Sequence, residues 1–186
     1  MASAVIVALW LIWAAVWMLL SRRVKSVAER PDGAAGRAHY APMALAFLLL
    51  AAPIPLFPFD ARFVPAAAWP AALGAALVFA GLAFAFWARL WLAGNWSSSV
   101  TLKSDHELVD DGPYRWVRHP IYTGILVALA GTGLAVGEWR AALAVVLAGV
   151  AYWRKLTIEE AAMRRQFGEA YVRYAERVPA LIPFVL

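Results

Sequence analysis

Five long apolar stretches of this chain carry no charged residue: residues 2–20, 41–59, 69–88, 120–137 and 141–153. Nothing constrains the fold more. In hydrocarbon every backbone N–H and C=O must be satisfied within the protein, which leaves helices and closed barrels. Barrel strands alternate apolar with polar over about ten residues. These runs are longer and uniformly apolar, so they read as helices. Composition agrees: 63% of the residues are hydrophobic and 16% charged, against about 45–50% and about 25% in soluble domains. The expectation is an all-α integral membrane helical bundle of about five transmembrane helices. It should have a C-terminal helical hairpin and short cytoplasmic helices, in a single domain over residues 1–186.

Several function classes fall away. The chain has no cysteine, so disulfides, a thiolate zinc site and a cysteine nucleophile are excluded. His39, His106 and His119 are scattered without a metal-ligand spacing, and no metal is expected. The net charge of +5 does not point to nucleic acid, because the basic residues flank the apolar runs.

Helices are expected over residues 3–20, 41–52, 69–93, 120–136 and 141–153. Arg22, Arg23 and Lys25 follow the first run instead of preceding it. That is the reverse of a signal peptide, so the first run is expected to be retained as a helix. Pro42 and Pro120 suit first turns, where a missing N–H costs least. Gly74 and Gly81 give the third helix a small face for close packing, and Arg89 can snorkel from its end. The last two spans are short for a hydrocarbon core of about 30 Å. From Arg154 the helix is expected to leave the membrane and stop near Gly168. A short amphipathic helix over 169–178 follows, with Tyr171, Tyr174 and Val178 on one face. Of the 17 Lys and Arg, only Arg62 and Arg140 fall on one side when five spans are drawn. The positive-inside rule then puts the N-terminus outside and the C-terminus in the cytoplasm. The alanine-rich composition points to a high-GC bacterial genome, and hence to a bacterial inner membrane.

The chemistry gathers in residues 108–124, a polar, cationic and aromatic run beside an apolar helix. Pro120 opens that helix and His119 sits near its cap. A helix start offers free N–H groups and partial positive charge to an anion, and Arg115 and Arg118 add to it. Lipid headgroups would use the same residues, and spacing does not choose between these. Tyr114, Trp116 and Tyr122 offer faces to a cation; Trp116 reads better as part of the interfacial aromatic belt. Lys155 and Glu159 are four apart on one helix face. They are either a surface ion pair or an anchor for an anionic substrate.

The motif Leu-Val-x-x-Gly-Pro-Tyr-x-x-x-Arg-His-Pro-x-Tyr-x-Gly (108–124) is followed by Glu-Glu (159–160). Then come Phe-Gly-x-x-Tyr-x-x-Tyr (167–174) and Val-Pro-x-x-Ile-Pro (178–183). In that order they resemble the isoprenylcysteine carboxyl methyltransferase family. The resemblance implies a membrane methyltransferase using S-adenosyl-L-methionine, with three transmembrane helices in 1–93 and the cofactor-binding core in 94–186. Its cofactor contacts would be His106, Glu107, Leu108, Val109, Tyr114, His119, Pro120, Ile121 and Tyr122. Ser99 lies near a further contact of the eukaryotic enzymes. Lys155, Glu159 and Arg118 would be catalytic, and Arg154, Lys155 and Glu159 would bind substrate. Lys155 stands where the eukaryotic enzymes have Arg. The implied partners are membrane lipids and a lipophilic small-molecule or prenylated acceptor: a prenylcysteine-type carboxylate, or a small lipid phenol or thiol. Two other readings are an NADPH-dependent membrane reductase of the sterol-reductase type and a non-catalytic membrane scaffold.

Overall fold

A computed structural model describes residues 2–21, 40–51, 57–92 and 108–183. The expectations for His39, Ser99, His106 and Glu107 lie outside them. Among the described residues six α-helices follow in order: α1 (Ala2–Ser21), α2 (Tyr40–Ala51), α3 (Ala68–Leu92), α4 (Pro120–Val136), α5 (Trp139–Phe167) and α6 (Glu169–Arg177). A 3-10 turn, Gly112–Arg115, precedes α4.

The closest seam runs between α3 and α4, which are antiparallel. Gly74 faces Gly131 and Gly81 faces Gly124. A β-carbon on Gly74 would come within 2.5 Å of the Gly131 carbonyl oxygen, and one on Gly131 within 2.6 Å of the Gly74 oxygen. The spacing of seven in each helix keeps both glycines on one stripe over two turns. Small residues here let the backbones touch, which is how helices associate where water gives no driving force.

The other helices pack around this pair. Ala46, Leu49 and Leu50 of α2 meet Ala141, Ala144 and Ala148 of α5 in a core that also holds Tyr114, Ile121, Ile125 and Leu129. Ile6 of α1 packs with Val78, Leu82 and Ala128, and the Trp10 indole donates to Thr132 Oγ1 at 3.0 Å. Three helices, α1, α3 and α5, are long and apolar enough to cross a membrane; α2 and α4 are shorter.

One expectation needs correction. Arg89 does not reach out from the end of α3. It is buried, and its guanidinium donates to the Leu20 carbonyl at 3.2 Å, tying α1 to α3. The fifth helix continues past Trp153 as expected, one unbroken α5 of 29 residues. No glycine or proline interrupts residues 150–167, and the helix stops only at Gly168, where φ is +52°. At 1.5 Å per residue it extends about 43 Å, well beyond a hydrocarbon core of about 30 Å. Its length therefore exceeds that core by about 13 Å.

At the far end, α4 closes on Gly137 in the left-handed conformation, φ +71°. The loop before α3 is stitched to this turn. The amides of Phe63 and Val64 donate to the Gly137 carbonyl, and those of Trp139 and Arg140 donate to Ala61 and Phe59. Arg140 is buried, pairs with Glu138 at 2.5 Å and donates to the Leu49 carbonyl.

Candidate active site at the start of α4

Pro120 takes the first position of α4 with His119 as its cap residue. Helix geometry leaves the first N–H groups without intrahelical carbonyls, and Pro120 has none to offer. The apolar tail beyond α6 meets the residues just before it. Arg118 N–H donates to Pro179 O at 2.8 Å and His119 N–H to Ala180 O at 3.0 Å. Thr123 Oγ1 donates to Leu181 O at 2.7 Å. Ala180 and Leu181 pack on Leu156 of α5, with Tyr122 and Leu126 beside them. The tail thus lies across the start of α4.

Three rings stack beneath it. The His119 imidazole is parallel to the Tyr122 ring, 5.5 Å away and 1° from coplanar orientation. Tyr122 in turn stacks on Tyr152 at 4.6 Å. Offset pairs of this kind are worth about 0.5–1.5 kcal/mol each beyond burial. Lys155 Nζ stands 5.2 Å over the centre of the Tyr122 ring.

Two neighbouring carboxylates of α5 reach this stack from different sides, because adjacent helical positions point about 100° apart. Glu159 accepts the Tyr122 hydroxyl at 2.5 Å and lies 3.9 Å from Lys155 Nζ. Glu160 lies 2.6 Å from Arg118 Nη2 and accepts Arg118 Nε at 2.8 Å. The His119 ring sits between them, with Nδ1 3.6 Å from Glu159 and Nε2 3.3 Å from Glu160. Arg118 Nη1 also donates to the carbonyls of Ala175 and Val178, at 3.0 and 2.5 Å. Arg118 therefore grips the end of α6 as well as a carboxylate.

The opposite wall is the 3-10 turn. Gly112 has φ +54° and lies against the Trp91 indole, where a β-carbon would strike the ring. Trp91 Nε1 donates to Asp111 at 2.7 Å. Tyr114 follows, buried, its hydroxyl 3.4 Å from the Ala88 carbonyl. Its own carbonyl accepts the Tyr174 hydroxyl at 2.7 Å. Burial, with each phenol's tyrosine neighbour adding to it, pushes Tyr114 and Tyr174 well above the ordinary phenol range. Both remain hydrogen-bond donors at neutral pH.

The sequence candidates fall into three groups. Arg118, His119, Tyr122, Lys155 and Glu159 meet in one cluster, with Pro120 and Ile121 at its edge. Leu108 packs on Tyr171, Tyr174 and Val178 of the α6 region, and Val109 packs on the main core. Arg154 is exposed, about a hundred degrees round α5 from Lys155. Trp116 is also exposed, its ring stacked on Phe84 at 6.2 Å. Sequence reasoning missed Glu160, Tyr152 and Tyr174. The Glu-Glu pair and the Tyr-x-x-Tyr motif contained two of them, but nothing in the sequence says which partner each takes.

An aromatic stack, a carboxylate and a lysine at the mouth of an apolar helix pair suit a ligand that is part cation and part lipid. A profile of the Isoprenylcysteine carboxyl methyltransferase (ICMT) family matches residues 73–165, half of the chain. The chain belongs to this family. It is 35% identical over 85 residues to the protein-S-isoprenylcysteine O-methyltransferase of Schizosaccharomyces pombe, covering 44% of this chain and 35% of that protein. Against form B of the Arabidopsis thaliana enzyme it is 36% identical over 90 residues, 46% of this chain and 44% of the relative. The chain thus aligns with less than half the length of these family members. Among solved structures, that of the eukaryotic intramembrane Ras methyltransferase ICMT superimposes with a TM-score of 0.64 at 25% identity. The superposition covers 78% of this chain and 52% of that one. Every member of the site cluster from α4 and α5 lies inside the stretch that carries the family match.

Proposed function

We propose that this chain transfers a methyl group from S-adenosyl-L-methionine to a lipophilic acceptor at the cytoplasmic surface of the membrane. The single observation that carries the reading is the meeting of Tyr122, Lys155 and Glu159 at the start of α4, beside the His119 and Tyr152 rings. Bound S-adenosyl-L-methionine supplies an electrophilic methyl group on a positively charged sulfur. The residues present fit such a group. Stacked aromatic faces and a carboxylate favour a cation, and the amides of Ile121 and Tyr122 at a helix start favour a carboxylate. Leu108, Val109, Tyr114, His119, Pro120, Ile121 and Tyr122 would hold it, with His106 and Glu107 from the preceding segment.

The acceptor enters from the lipid side. Lys155 orients its anionic or polar end, and Glu159 holds Lys155 and the Tyr122 hydroxyl in place. A prenylcysteine-type carboxylate is already ionised at neutral pH and needs no base. A lipid phenol has a pKa of about 10 and would give its proton to Glu159. Catalysis then rests on alignment of acceptor and methyl and on exclusion of water by α6 and the tail.

The test uses the chain in lipid nanodiscs, with calorimetry for cofactor binding and labelled methyl donor for turnover. The acceptors are a farnesylcysteine analogue, a lipid phenol and a lipid thiol. Micromolar cofactor binding with label transferred to one of them is expected. A chain that binds the cofactor but labels no acceptor is not the enzyme proposed.

A further inference from the structure

Arg118, His119 and the end of α6 share one anchor, and it is not among the residues that face the proposed acceptor. Glu160 presents Oε1 to Arg118 Nε and Nη2 and to His119 Nε2, all within 3.3 Å. Through Arg118 the same carboxylate reaches the Ala175 and Val178 carbonyls. Through His119 it meets the ring that lies flat on Tyr122. Its side chain is only 13% exposed and that of Arg118 only 11%. Removing one partner of a pair that deep leaves the other charge buried and uncompensated, which strongly destabilises the fold. Glu159, one residue earlier, faces Lys155 and Tyr122 and stands farther from the His119 ring, 3.6 Å from Nδ1 against 3.3 Å from Nε2 to Glu160. The two glutamates therefore divide the work between reactants and scaffold.

We propose that Glu160 is a positioning residue, which sets the orientation of the His119 ring and, through Arg118, pins α6 and the tail across the start of α4. The proposal rests on the cofactor site described above. It adds that closure of this site and alignment of its aromatic stack depend on one carboxylate that touches neither reactant.

The experiment compares wild type with Glu160→Gln and Glu160→Asp in nanodiscs, with exposed Arg173→Gln as control. It reads the S-adenosyl-L-methionine Kd by calorimetry, hydrogen exchange over residues 169–183, and the ¹⁵N shifts of the His119 ring. For E160Q the Kd rises about tenfold, the loss of one charge-assisted hydrogen bond. Exchange over α6 and the tail quickens and the His119 resonances move. E160D gives intermediate values, and R173Q gives wild-type ones. Wild-type affinity, exchange and ring shifts in E160Q overturn the proposal. If E160Q does not fold, unchanged ring shifts in E160D overturn it. A wild-type chain that binds no S-adenosyl-L-methionine sinks the functional reading instead, and the ring shifts and exchange then decide the role of Glu160 alone.

Discussion

Tyr122 and Tyr152 lie ring on ring, 4.6 Å apart, with the Tyr122 hydroxyl given to Glu159. One side chain thus serves the site in two separable ways, by its face and by its oxygen. Tyr122→Phe keeps the face and loses the bond. Tyr122→Ala loses both. Cofactor affinity should drop no more than a few-fold in the first and about tenfold in the second, given stacking and cation–π terms of about 1 kcal/mol each. Calorimetry on both variants distinguishes face from oxygen.

Lys155 is a point charge over an aromatic face, with Glu159 at 3.9 Å. Lys155→Met should raise KM for a carboxylate acceptor about tenfold, the value of one charged contact, and leave the cofactor Kd near wild type. Lys155→Arg keeps the charge and adds a two-pronged donor, so it should retain turnover. Steady-state kinetics with the acceptor varied reads the split.

The α3–α4 seam predicts a sharp contrast among glycines. Gly81→Leu or Gly124→Leu drives a side chain into the opposing backbone. Overpacking of this sort costs about 1–3 kcal/mol or more and should lower the unfolding midpoint in detergent. Gly149 has nothing within 4 Å of a β-carbon among the described residues. Gly149→Ala should hold or raise that midpoint, since alanine favours helix by about 1 kcal/mol.

At the far end, Arg140→Met leaves Glu138 and the Leu49 carbonyl without their guanidinium. A loss of about 3 kcal/mol is expected for a broken buried pair. Cofactor affinity should not follow it, because α4 separates the two ends. Thermal unfolding and calorimetry on one preparation test both halves.

Docking of α6 should also weaken at high pH. The Tyr114 and Tyr174 phenols are raised by burial, so the folded state holds their protons more tightly than the unfolded chain. Their contribution is complete below the unfolded phenol value of about 10 and lost as pH climbs above it. The protection factors of the α6 amides, with base-catalysed intrinsic exchange divided out, should be flat from neutrality to about pH 9 and fall beyond about pH 10. Tyr174→Phe, which removes the bond to the Tyr114 carbonyl, should weaken docking by about 1 kcal/mol below about pH 9, and the cost should shrink above about pH 10.

The elements were legible because their limits are chemical and local. The helices expected over residues 3–20, 41–52, 69–93 and 120–136 match α1 to α4 to within a residue or two, Pro120 opens α4, and Gly168 ends α5. The small face of α3 was visible in Gly74 and Gly81, though its partner stripe on α4 was not named. What could not be read was pairing over distance. Arg118 and Glu160 are 42 residues apart, and Arg140 and Leu49 are 91 apart. No periodicity links such pairs, since each depends on how separate helices are set against one another. The same holds for the tail amide contacts at Arg118 and His119, which are backbone interactions and leave no trace in residue type.

The unbroken course of α5 makes it a ruler. Its zero is Arg140, clasped by Glu138 and the Leu49 carbonyl. From there to Glu159 the helix rises about 28 Å, close to the thickness of the hydrocarbon layer. The depth at which the Glu159 carboxylate emerges is therefore counted out in helical residues, independently of any loop. One residue inserted between the two would lift the chemistry by about 1.5 Å and swing it about 100° round the helix.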